Sequence, residues 1–126
     1  MRILLDTHIV IRTLLDDPRL SLDARLLLRA HSGDVHYSVA SLWEIGIKHG
    51  LGRLELSPGE VAQAMKASRF ARLEITEEHI NRLVSLPHHH RDPFDRMLIA
   101  QAEAEPLRLV TSDLQLAAYG SIVVTV

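Results

Sequence analysis

Cysteine is absent from the 126 residues. That excludes a disulfide framework, thiolate chemistry and cysteine-based zinc sites, and it fits a cytoplasmic protein. A surplus of positive charge is also missing: 14 Lys and Arg face 16 Asp and Glu, a formal net charge of -2. A passive nucleic-acid binder is usually basic, so composition favours nucleic acid only for an enzyme that holds its own cations. Aromatic residues are scarce at 4%, and Trp43 is read as core rather than as a base-stacking platform. Long apolar runs are lacking. The segment MRILLDTHIVIRTLL is interrupted by Asp6, His8 and Arg12 and precedes no small-residue cleavage site, so it reads as folded structure. No run approaches membrane-spanning length, and no membrane partner is expected.

What is present suits a soluble globular protein: 47% hydrophobic and 24% charged residues. The length fits a single domain spanning 1–126, with roughly two-thirds of the unfolded surface buried. No internal repeat or linker is visible. Short apolar runs alternate with amphipathic stretches, the pattern of an α/β protein with a mostly parallel sheet. Strands are expected at Arg2–Leu5, Val35–Val39, Arg72–Ile75, Leu107–Thr111 and Ile122–Val126. Helices are expected at Ile9–Leu15, Leu20–His31 (Leu22, Leu26 and Leu27 inward) and Ala40–His49. Ser57-Pro58-Gly59-Glu60 is a capping-box start. Thr76 caps Glu77–Leu86, with Ile80, Leu83 and Val84 inward, and Asp92-Pro93 opens a helix that stops before Pro106.

Four acids stand out by position. Asp6 follows the first strand, Glu44 lies one turn into the helix after the second, Asp95 is in the first turn of a later helix, and Asp113 follows the Leu107–Thr111 strand. The C-terminal strand ends of a parallel sheet share one edge, where sites form. Each acid also has a local reading. Asp6 suits a helix cap, and Glu44 precedes Lys48 by four residues, the order of a helical ion pair, although its apolar neighbours argue for burial. Asp95 complements a helix dipole, and Ser112-Asp113-Leu114-Gln115 is a plausible capping box. If the four converge, two carboxylates 4 Å apart repel by about 4 kcal/mol at an effective dielectric of 20. Oxygen-only ligands suit hard cations, Mg²⁺ or Mn²⁺.

LLDTH (Leu4–His8), SLWEI (Ser41–Ile45), HRDPFDRMLIAQA (His90–Ala102) and LVTSD (Leu109–Asp113) occur in this order. With them the chain resembles the PIN-domain nucleases, in particular the VapC-type toxins of toxin–antitoxin pairs; LGRLEL (Leu51–Leu56) is similar to a linker in one branch. The resemblance covers nearly the whole length. It implies a three-layer α/β/α sandwich over a five-stranded parallel sheet and makes Asp6, Glu44, Asp95 and Asp113 the catalytic, metal-binding acids, with Thr111 or Ser112 as a supporting hydroxyl. It implies an Mg²⁺- or Mn²⁺-dependent endoribonuclease, with an RNA substrate, a cognate antitoxin and a homodimer. Metal-assisted hydrolysis then leaves 5′-phosphate and 3′-hydroxyl ends. Two features depart from the pattern: Gly46 interrupts a helix, and the C-terminal tail lacks the aromatic residue often found there.

His88-His89-His90 lacks the spacing of a structural zinc site and reads as a solvated loop. With Arg91 and Arg96, His90 is a candidate basic lip for RNA phosphates. Asp92 reads as an N-cap and Asp16-Asp17-Pro18 as a turn. A dehalogenase-type phosphatase needs an Asp where His8 stands, and the acidic pair and late Lys of a receiver domain are missing. The remaining alternative is a catalytically inactive PIN-like module that acts through a protein partner.

Overall fold

Short strands that are apolar on both faces pair in parallel and are covered on both sides. The computed structural model describes all 126 residues. The elements run β1 (Ile3–Leu5), α1 (Thr7–Leu14), α2 (Leu22–Ala30), β2 (Val35–Ser38), α3 (Val39–Gly50), α4 (Pro58–Ala67), β3 (Ala71–Leu73), α5 (Glu77–Val84), α6 (Pro93–Ala104), β4 (Arg108–Thr111), a 3₁₀ segment (Leu114–Tyr119) and β5 (Val123–Thr125). The strands form one sheet in the order β3-β2-β1-β4-β5, parallel at every pairing. Successive side chains of β1 point to opposite faces. Ile3 and Leu5 pack with Val35, Tyr37, Val10, Ile45 and Met65, on the side of α1, α3 and α4. Leu4 packs with Leu98, Ile99, Leu109 and Leu116, on the side of α6 and the 3₁₀ segment. The result is the expected α/β/α sandwich.

Local chemistry sets the helix starts. Ser57 and Glu60 close their capping box at α4, with Pro58 in the first turn. Asp92 accepts from the backbone N–H of Phe94 and Asp95 and starts α6. Gly52, at φ +73, lies in the turn after α3, a conformation that costs glycine nothing.

Three expectations about helices are corrected. In α2, Leu22 and Leu26 are exposed and Ala24 is the buried residue; Ser21 is its cap, and the helix begins two residues later than expected. In α5, Ile80 and Val84 are exposed while His79 is fully buried. The His79 ring accepts the Thr76 N–H at Nδ1 (3.1 Å) and bonds Glu105 through Nε2 (2.6 Å), so hydrogen bonding turns a polar residue inward. At the 3₁₀ segment the cap is Asp113, not Ser112.

Candidate metal centre

The order of strands reverses between β1 and β4, the switch point where a cleft opens at the carboxyl edge of a parallel sheet. Leu5 pairs with Val110, so Asp6 and Thr111 come next on adjacent strands. Asp6 is 3% exposed and caps α1, with one carboxylate oxygen accepting the His8 N–H at 3.0 Å. Its other oxygen accepts the Thr111 hydroxyl. Thr111 Oγ1 in turn accepts the Asp113 N–H at 3.0 Å. One buried hydroxyl therefore ties the end of β1 to the turn after β4.

Asp95 enters from the first turn of α6. Its carboxyl pKa is pushed up to about 8, first by burial, then by the negative charges of Asp6, Asp92, Glu44 and Asp113. All three other predicted acids thus bear on Asp95. His90 completes the group: its Nε2 lies 3.7 Å from Asp95 Oδ2 and 3.4 Å from Asp113 Oδ2. His90 Nδ1 accepts the Asp92 N–H at 3.1 Å, which leaves the proton of the neutral ring on Nε2.

The acids are not equally close. Donor atoms of His90, Asp95 and Asp113 lie within 4.8 Å of one another. Asp6 and Glu44 stand outside that set. Glu44 is 7% exposed, yet its Oε2 sits 2.8 Å from Lys48 Nζ, so burial and the helical ion pair hold together. The Ser38 hydroxyl donates to Gln101 Oε1 at 2.6 Å and accepts the Ala40 N–H at 2.9 Å. This fixes the start of α3, which carries Glu44, against α6, which carries Asp95.

Several expected roles change. Arg96 is buried at 9% and donates to Pro87 O, Leu83 O and Tyr119 Oη; it braces the loop before α6 and is no part of a basic lip. Arg91 is exposed, whereas His90 is half-buried beside the acids. The three histidines separate accordingly, with His89 set edge-on to Tyr119. Ser112 Oγ accepts from Arg12 at 3.1 Å, so the hydroxyl that reaches an acid is that of Thr111. Trp43 is 61% exposed, not core. The nearness of His90 to Asp95 and Asp113 has no spacing signal, because it depends on how the loop before α6 folds back.

Carboxylates crowded until burial and neighbouring charge raise the pKa of one of them are short of positive charge, and their hard oxygen donors fit a divalent cation. Fold and site together define a class: a parallel α/β protein with an acidic cluster at the carboxyl edge of its sheet. The PIN domain family model matches residues 3–121, and the chain belongs to that family. Among solved structures, a toxin–antitoxin complex from Klebsiella pneumoniae has a chain 24% identical, with TM-score 0.69 and coverage of 98% of this chain and 96% of that one. VapBC2 from Rickettsia felis bound to a promoter DNA fragment gives 15% identity, TM-score 0.72 and coverage of 100% and 98%. DNA-bound VapBC from Salmonella typhimurium gives 18%, 0.73, and 99% and 98%. No curated relative matches the chain.

Proposed function

We propose that this PIN domain is an Mg²⁺- or Mn²⁺-dependent endoribonuclease and the VapC-type toxin of a toxin–antitoxin pair. The observation that carries the reading is the grouping of His90, Asp95 and Asp113 donor atoms within 4.8 Å of one another at the carboxyl edge of the sheet; burial and the charges of Asp6, Asp92, Glu44 and Asp113 raise the Asp95 pKa there. Asp6, Glu44, Asp95 and Asp113 would hold the cation. A bound cation would supply Lewis acidity at the scissile phosphate. The protein's own residues order the site: Thr111 holds Asp6 in place, and Lys48 partly offsets the charge of Glu44. His90 Nε2 stands 3.7 Å from Asp95 Oδ2 and 3.4 Å from Asp113 Oδ2, beside both carboxylates.

PIN domains are typically nucleases, and the similar solved structures include toxin–antitoxin complexes, which supports an antitoxin as partner. A basic side chain from that partner would complement the acids. The protein would work in the cytoplasm, as a homodimer. Incubation of the pure protein with total RNA and Mg²⁺ tests the reading. New 5′-phosphate ends are expected, and most cleavage should be lost in Asp6→Asn, Glu44→Gln, Asp95→Asn and Asp113→Asn. Asp92→Asn should retain it, because Asn also caps helices well. Full activity in excess EDTA would refute metal dependence. A wild-type protein that never cleaves would favour a catalytically inactive PIN-like module acting through its partner.

A further inference from the structure

Between α3, α5 and α6 lies an apolar hollow of about 230 Å³, with walls that include Trp43, Phe94, Pro93, Met97 and Leu83. Trp43 directly precedes Glu44, and Phe94 directly precedes Asp95. Helices α3 and α6 therefore bring the two aromatic residues together, each next in the chain to an acid. The Trp43 and Phe94 rings meet with centroids 5.1 Å apart at 79°, while the next residue on each helix supplies an acid, Glu44 bearing on Asp95.

Single exposed apolar residues are ordinary. An indole 61% exposed that also forms the wall of a concave hollow is less so. The two rings meet as a corner, so a flat group can lie against one ring while its edge abuts the other. No charged side chain lines the hollow, and its volume falls below the roughly 300–1,000 Å³ of sites for drug-sized ligands. A small, flat, weakly polar group fits. The neighbouring acids are where the nuclease reading places a phosphate, and a nucleotide joins such a group to a phosphate.

We infer that the Trp43–Phe94 corner receives one unstacked base of a single-stranded RNA and thereby seats the adjoining phosphodiester at the acidic cluster. The inference rests on the nuclease reading for its substrate class. The indole N–H is the one conventional side-chain hydrogen-bond donor on the walls, so the corner accepts any base. It selects single strands over duplexes, because every base has a face to stack and only an unpaired one can swing out.

Trp43 is the single tryptophan, so its fluorescence reports on the corner directly. The protein carrying Asp95→Asn, chosen to prevent cleavage, is titrated with a mixed-sequence single-stranded oligoribonucleotide, fluorescein-labelled for anisotropy. A second titration uses a strand of equal length without bases. Saturable quenching by the first strand and none by the second is expected. In the same background Trp43→Tyr should bind the labelled RNA nearly as well as Trp43, whereas Trp43→Leu, apolar but without a ring, should bind roughly 5- to 150-fold more weakly. RNA that binds without quenching, or equal binding by the Leu and Tyr variants, would overturn the inference. So would an RNA-indifferent corner whose fluorescence responds only to a co-expressed partner protein, which would mark it as a protein-docking site. Cleavage by wild type is scored separately. Cleavage without quenching removes the platform and leaves the nuclease; quenching by an RNA that wild type never cleaves does the reverse.

Discussion

A carboxyl group that keeps its proton to about pH 8 links ion binding to proton release. Carboxylates bind a cation in their ionised form, so at neutral pH Asp95, as a proposed ligand, would give up its proton on binding one. Apparent Mg²⁺ affinity should rise with pH, by up to about tenfold per unit for one proton, and level off above about 8. Calorimetric titrations in two buffers of different ionisation enthalpy at pH 7 should show close to one proton released per Asp95 site. Identical heats in both buffers would refute the coupling. Thr111 makes a second residue-level case. It is fully buried and serves both Asp6 and the Asp113 N–H, so Thr111→Val leaves two polar groups short of a partner. A stability loss of about 1–3 kcal/mol is expected, and metal affinity should fall about 10- to 100-fold. Thr111→Ser keeps the hydroxyl and should lose little of either; urea melts and Mg²⁺ titrations read both effects.

At the scale of elements, what was legible in the sequence was what local chemistry decides. Ser57 with Glu60, and Asp92 with Pro93, marked helix starts that the structure keeps, because each cap is settled within four residues. Faces were harder. The phase of α5 was misread because His79 is buried by Glu105 and Gln101, 26 and 22 residues away in the chain, partners that periodicity cannot reveal. Trp43 was misplaced for a related reason: an apolar residue beside a concave site looks like core from composition alone. Gly46 offers a test of α3. A Cβ there would meet Pro58 Cγ at 3.6 Å, ordinary contact, and no positive φ is required. Gly46→Ala should therefore stabilise the protein by about 0.4–1 kcal/mol, raising Tm by about 2–6 °C. A lowered Tm would show that α3 and the start of α4 are packed too tightly for a methyl group.

Across the whole molecule, the candidate site was legible as an order of acids along the chain, and the strand order turns that order into proximity. Asp6 and the Asp113 N–H both bond the Thr111 hydroxyl because β1 and β4 are neighbours at the switch point. The unequal spacing was not legible: Asp95 and Asp113 close on His90, while Glu44 turns to Lys48. Such crowding makes the stability of the whole fold depend on pH. Below about pH 4, close to the ordinary Asp value of 3.8, Asp95 is protonated in the folded and unfolded states alike. Between there and about pH 8 the folded protein holds a proton that the unfolded chain has released, so raising the pH favours unfolding. Above about 8 both states are ionised and this contribution is constant. In EDTA, wild type should lose stability relative to Asp95→Asn across that window, and the gap should be widest above pH 8, with the variant ahead. Mg²⁺ narrows that gap. At a hundredfold excess over its Kd it should stabilise wild type by about 2.7 kcal/mol and the variant much less, because one ligand is gone. Thermal melts of both proteins from pH 5 to 9, with EDTA and with Mg²⁺, separate this from a site in which Asp95 only complements the dipole of α6. In that case the ionised carboxylate is the favoured form, wild type stays level with or ahead of Asp95→Asn as the pH rises, and Mg²⁺ shifts both proteins equally.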